Sequence, residues 1–202
     1  MQVILDIEKK VEAAAAGYRL SIENLLQQGL NLFRKEPAVF IIYSVIAVIV
    51  LSNPLSGILL GGPVVAGYYI VAHRINYNRS IELSDFFRSF DRFIPLLLVN
   101  LLISLLVSLG LMLLLIPGIY FAISCLFAHF FVWFYNVEPS EALRLSRKTV
   151  SGNFGQIFLL SLVLGGINVL GILAFGVGIL LSLPFTYCVI YATFDDIIGI
   201  PN

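Results

Sequence analysis

The sequence predicts an all-α integral membrane protein: six transmembrane helices laid out as three hairpins, each preceded by a short amphipathic helix at the membrane interface. Composition predicts the class. Of 202 residues, 59% are apolar and 12% charged, where soluble domains carry roughly 45–50% and about 25%. Charge placement predicts the layout. The 12 basic and 12 acidic residues fall in four clusters: Asp6–Glu36, Arg74–Arg92, Glu138–Lys148 and the pair Asp195–Asp196. Between them lie charge-free runs at 37–73, 93–137 and 149–194. One helix crosses a hydrocarbon core of about 30 Å in about 20 residues. Each run is too long for one crossing and too short for three, so each is read as a pair. Every hairpin then returns to the side it left. All charge lies on one face, and the positive-inside bias makes that face cytoplasmic, with both termini there.

The same numbers exclude other classes. A mean hydropathy of +0.98 is incompatible with intrinsic disorder, which needs low hydrophobicity and high charge. Balanced charge and a pI near 6.7 argue against a nucleic-acid binder. Runs such as Leu111–Ile116 do not alternate apolar with polar, as barrel strands do. The first 35 residues are charged and lack an apolar core, so no cleaved signal peptide is expected. Cys125 and Cys188 fall within spans without the spacing of a redox or zinc motif, and are read as buried structural thiols.

Along the chain, residues 1–20 form a charged, Ala-rich segment, expected to be helical but poorly anchored. An amphipathic helix follows. Ser21 is a plausible N-cap with Glu23 in the first turn. Ile22, Leu25, Leu26, Gly29, Leu30 and Phe33 share one helical face, which suits a helix lying in the interface. Arg34–Pro37 turns it into span one, about 37–52. Asn53-Pro54 marks the turn, and span two covers about 55–77, with a kink expected at Gly61-Gly62-Pro63. Ser84-Asp85 opens a second interfacial helix with Phe86, Phe90 and Phe93 on one side. Span three is about 93–115. Pro117-Gly118 is read as the hairpin turn and span four as 118–136, ending in an aromatic belt from Phe130 to Tyr135. The third interfacial helix runs from Pro139 to about Thr149, with Glu138 and Glu141 at its start and Arg144, Arg147 and Lys148 at its end, matching the helix dipole. Span five is about 154–171, the last turn lies between Gly171 and Gly178, and span six runs to about Phe194 with a kink at Pro184. The domain reading is a cytoplasmic N-terminal segment at 1–36 and a six-helix membrane domain at 37–202. The recurring plan of amphipathic helix and hairpin is either a threefold internal repeat or the same membrane-entry physics met three times.

Leu114-Leu115-Ile116-Pro117-Gly118-Ile119-Tyr120, and Glu141 through Lys148 followed by Gly152-Asn153, resemble a known group. So do Gly62-Pro63 followed by Gly67-Tyr68-Tyr69, and Pro184 in the last span. Over about 21–198 the chain looks like the bacterial six-helix membrane proteins of unknown function related to the membrane domain of glycerophosphodiester phosphodiesterases. The resemblance implies an architecture and no reaction. In the fused proteins a separate soluble domain performs hydrolysis, so that activity is not carried over.

Candidate functional residues are few. His129 is the only ionisable His, Asp, Glu, Lys or Arg within an expected span after Arg74. Without an intramembrane carboxylate to partner it, it is read as neutral and structural, which disfavours ion-coupled transport. Asn100 and Asn168 are read as interhelical hydrogen-bonding residues. Gly62, Pro63, Pro117, Gly118, Gly176 and Gly178 are assigned to helix packing or turns, as is the Gly165-Gly166 pair, rather than to an unwound substrate site. No catalytic constellation, cofactor site or metal site emerges. Arg74, Arg79, Arg88, Arg92, Arg144, Arg147 and Lys148 are the candidates for contact with anionic headgroups or a partner; ordinary topology-setting charge is the competing reading. The expectation is a non-enzymatic scaffold, accessory subunit or lipid-associated factor of a bacterial inner membrane. Its partners would be the phospholipid bilayer and a membrane protein or a second copy, not nucleic acid. The alternative is a transporter or channel for a small or amphipathic substrate.

Overall fold

The computed structural model describes residues 2–174 and 176–201, with side chains from Leu5 onward; Met1, Phe175 and Asn202 lie outside the described residues. Among the described residues the chain is all helical, without strands. The helices are α1 (Gln2–Ala15), α2 (Ile22–Lys35), α3 (Pro37–Ser52), α4 (Pro54–Asn76), a 3-10 helix (Leu83–Arg92), α5 (Phe93–Leu113), α6 (Leu115–Ser124), α7 (Ala128–Tyr135), α8 (Pro139–Ser151), α9 (Phe154–Leu173) and α10 (Ile179–Ile197).

Four stretches are long and apolar enough to cross a membrane: α4, the 3-10 helix with α5, α6 with α7, and α9. A fifth exists if α2 and α3 count together, but they meet at 96°. α3 has 16 residues, about 24 Å of helix. α10 falls outside this set; its final turns carry Asp195 and Asp196. Large exposed apolar side chains concentrate on α3, the start of α4, α5, the start of α6, and α9. Such a continuous apolar exterior is foreign to a soluble monomer and natural to a protein with several helices in a bilayer.

Local sequence explains many of the boundaries. Ser21 caps α2 by accepting from Asn24 N, and Asn53 caps α4 by accepting from Leu55 N at 2.9 Å, with Pro54 in the first turn. α4 continues through Pro63. Beside that proline, a Cβ on Gly62 would stand 2.2 Å from Leu96 O, so only glycine lets α4 and α5 approach this closely. Asn100 on α5 donates to Gly57 O and Ile58 O at 3.1 and 2.9 Å, clamping the same crossing.

Several expectations need correction. The α5–α6 turn falls at Leu114, whose backbone is extended. Pro117 and Gly118 instead lie in the first turn of α6. Proline there lacks the N–H that a first helical turn leaves without an intrahelical partner, and a Cβ on Gly118 would come within 2.4 Å of Leu111 Cδ2. Span four is found as Leu115–Tyr135, its helix interrupted by a turn between the end of α6 at Ser124 and the start of α7 at Ala128. The segment at 83–92 winds as a 3-10 helix, so Phe86 and Ser89, three apart, are buried while Phe87 and Phe90 are exposed. The Gly165-Gly166 pair packs against nothing within 4 Å. α1 is firmly docked: Ile7, Val11 and Ala14 are buried, and α1 lies on α8.

The core is rich in aromatic side chains drawn from several helices. Phe40, Tyr43, Tyr68, Phe86, Phe130 and Phe194 are all fully buried. Tyr43 and Phe86 stack at 4.0 Å and Tyr69 and Phe130 at 3.9 Å. Tyr43 OH donates to Val64 O at 2.9 Å, which satisfies a buried hydroxyl.

Candidate functional site: the basic groove under α8

α8 is the hub of the site. Its buried face carries Ala142, Leu143, Leu145, Ser146, Thr149 and Val150. Ser146 reaches into the α6–α7 break, donating to Ser124 O at 2.8 Å and accepting from Phe127 N at 3.1 Å. Two backbone groups that lose helical partners at the break are thereby satisfied by one side chain, as irregular backbone in an apolar setting requires. α8 is thus fixed at the level of the break and not free to float along the interface.

Its outer face carries the basic residues. Arg144 bonds both carboxylate oxygens of Glu141 and, 3.0 Å away, Glu8 of α1. Lys148 pairs with Glu12 at 3.2 Å. Glu8 and Glu12 are one helical turn apart, as are Arg144 and Lys148, so the two helices meet as matched ladders. The hydrogen-bonded Arg144 holds the Glu141 carboxyl below its usual range, and Glu141 raises Arg144 in turn. Further along, Leu20 N donates to Gln156 Oε1 and Asn153 Nδ2 donates to Tyr18 O, both at 2.6 Å, tying the chain after α1 to the start of α9. Burial raises the Tyr18 phenol. Arg147 differs from its neighbours. It makes no ion pair among the described residues, and its guanidinium stands 5.9 Å from the Phe121 ring centroid.

Arg144, Arg147 and Lys148 rim a groove of about 530 Å³ between α5, α6 and α8. Leu102, Leu106 and Tyr120 form its apolar side, and Ser140 and Ser151 contribute hydroxyls. Sequence reasoning identified the three cations but not Leu102, Leu106, Tyr120 or Ser140. The Leu102–Leu106 spacing of one helical turn was legible, but nothing local says which helix would cover it.

The other basic candidates lie elsewhere and are largely engaged within the chain. Arg74 Nε is 3.3 Å from Asp85 Oδ2, and Arg74 donates to Ser80 O at 2.9 Å. Arg88 Nε is 2.9 Å from Asp85 Oδ1. Asp85 is buried, and it also accepts from Glu82 N at the start of the 3-10 helix. Arg92 donates to Val132 O at 2.8 Å, joining the 3-10 helix to α7. Arg79 is exposed. Gly178 packs against Gly171, where a Cβ would meet Gly171 O at 2.6 Å, and Gly176 takes φ +74 in the turn before α10. Asn168 donates to Thr186 Oγ1 at 2.8 Å across α9 and α10.

The two histidines are separate. His73 Nδ1 and Tyr191 OH are 3.1 Å apart, beside a polar notch of about 220 Å³ rimmed by Lys35, Asn76 and Asp195. His129 is buried at the start of α7, and its Nε2 has no hydrogen-bond partner among the described residues. Cys125 and Cys188 are buried and free. Among the described residues, no three His, Cys, Asp or Glu side chains cluster as metal ligands would. The chain matches no protein-family model, no curated protein and no solved structure.

Proposed function

We propose that this chain is a non-enzymatic polytopic protein of a bacterial inner membrane, acting as a lipid-associated factor, scaffold or accessory subunit. In this reading α10 and the bent α2–α3 pair complete six crossings. The charged clusters and both termini face the cytoplasm, and the resemblance to the six-helix proteins related to phosphodiesterase membrane domains reflects common architecture. The observation that carries the reading is the groove under α8, where a basic rim and an apolar wall meet in one cavity. That pairing suits an amphipathic molecule with an anionic head, or a membrane-protein partner presenting one. Purification in mild detergent, with bound lipids and proteins identified by mass spectrometry, tests it. Retained phospholipid or a stoichiometric membrane partner supports the reading, and a protein that retains neither contradicts it.

Transport is the second reading, favoured by the interrupted α6–α7 helix and the unpartnered His129 Nε2 beside it. Transporters place substrate sites at such interruptions. Here, however, the break is closed by Ser146. Proton flux in liposomes that requires the protein and vanishes in His129→Gln would establish transport in place of the lipid-associated reading.

A further inference from the structure

We infer that the groove between α5, α6 and α8 is a binding site for one anionic phospholipid, its phosphate held at Arg147 and an acyl chain laid along Leu102 and Leu106. The inference rests on the lipid-associated reading and names the ligand of the same site.

Charge matching carries the first half. Three cations rim the groove, but two are already neutralised from behind by carboxylates. Arg144 is held by Glu8 and Glu141, and Lys148 by Glu12. Arg147 has no carboxylate partner among the described residues and is exposed. Its planar guanidinium, held over Phe121, offers the forked donor geometry that suits a phosphate. One unpaired positive charge matches the single negative charge of a phosphodiester. The Tyr120 and Ser140 hydroxyls on the same rim make no hydrogen bond among the described residues and are exposed, so each can donate to a headgroup.

The apolar wall carries the second half and separates a phospholipid from a free phosphate compound. Leu102 and Leu106 share a helical face with Leu105 and Leu109, which are 55% and 51% exposed. The wall therefore continues into the bare apolar stripe of α5, a lane for a chain with no counterpart in a water-soluble metabolite. A groove volume of about 530 Å³ is within the roughly 300–1,000 Å³ usual for ligand sites.

Glu8 and Glu12 then set the charge of the site. While α1 is docked, one cation is available. Neutralising both carboxylates releases Arg144 in part and Lys148 fully, and the groove accepts more negative charge.

The test is native mass spectrometry of the full chain with phosphatidylglycerol and phosphatidylcholine of identical chains, and with free glycerol phosphate as a third arm. Wild type is expected to retain phosphatidylglycerol over phosphatidylcholine and to ignore glycerol phosphate. Arg147→Gln should lose about fivefold of that preference, the size expected for one basic side chain at an anionic lipid surface. Arg147→Lys should keep part of it. Arg34→Gln removes the same charge at an exposed position on α2, a helix that does not line the groove, and should keep all of it. The Glu8→Gln/Glu12→Gln double variant should bind phosphatidylglycerol more tightly. An Arg147→Gln protein that elutes as wild type and keeps its full preference overturns the site. Equal retention of both lipids overturns it while leaving the lipid-associated reading intact. Retention of neither lipid removes both. Binding of glycerol phosphate as tight as that of the lipid overturns the assignment of a phospholipid.

Discussion

Ser146→Ala should destabilise the protein far more than the loss of one hydroxyl suggests. The hydroxyl is fully buried and serves two backbone groups, Ser124 O and Phe127 N, at 2.8 and 3.1 Å. A buried donor or acceptor left without a partner costs about 1–3 kcal/mol. Interhelical side-chain bonds in membranes average only about 0.6 kcal/mol, because the membrane-embedded unfolded state finds replacement partners. That average does not govern here. The orphaned groups belong to a helix interruption that must persist while α8 stays docked, so both lose their partner together. About 2–4 kcal/mol is therefore expected, a drop in Tm on the order of 4–16 °C for a chain of this size. Thermal unfolding in detergent and in nanodiscs provides the assay. Thr149→Val is the internal reference: Thr149 is equally buried, but among the described residues its hydroxyl bonds to Leu145 O of its own helix alone. Melting of Ser146→Ala within a degree of wild type, or no lower than Thr149→Val, would refute the argument that Ser146 closes the break.

Gly62→Ala should separate α4 from α5 and cost more than about 2 kcal/mol, since the added carbon meets backbone at 2.2 Å; Gly165→Ala, with open space around it, should be neutral or stabilise by about 0.5–1 kcal/mol, and the two melting curves check the contrast. Asp85→Leu should destabilise by about 3 kcal/mol, measured the same way, because the half-buried Arg74 loses its carboxylate; the exposed Arg88 contributes little of that. The Glu141–Arg144 pair within α8 should weaken in acid. The Glu141 carboxyl is lowered by Arg144, so its contribution is fully present above the ordinary glutamate range and is lost as pH falls through the lowered value. Hydrogen exchange in α8 should rise over that interval, and a pH-independent exchange rate would contradict the link.

Features that depend on neighbours in sequence were legible, and features that depend on distant partners were not. The Ser21 cap is local, because a side-chain oxygen three residues from an orphan N–H needs no tertiary context, and the Asn53-Pro54 turn was marked by its own two residues. The extents of α3, α4 and α9 followed from apolar runs and flanking Asn and Pro. The break after Ser124 was not legible, because its stabilising hydroxyl arrives from Ser146 on another helix. The turn at Leu114 was misplaced by one helical turn, since Pro117 is as compatible with a helix start as with a chain reversal. α1 was underestimated although Ile7, Val11 and Ala14 already recur at helical spacing. In the site, the basic residues of α8 were visible, but Glu8 and Glu12 lie 136 residues away from their partners, and no local pattern reveals that Arg147 alone of the three lacks a carboxylate among the described residues.

Cysteine-accessibility labelling in intact cells tests the central claim that all the charged clusters share the cytoplasmic face. The background replaces Cys125 and Cys188, both buried, with serine. Asn78→Cys, between α4 and the 3-10 helix, should react only with reagent admitted to the cytoplasm. Asn53→Cys, Met112→Cys and Gly176→Cys, near the opposite hairpin tips, should be silent to that reagent while open to, or shielded from, reagent on the outer side. Labelling of any of the three tips from the cytoplasmic side alone would contradict the account.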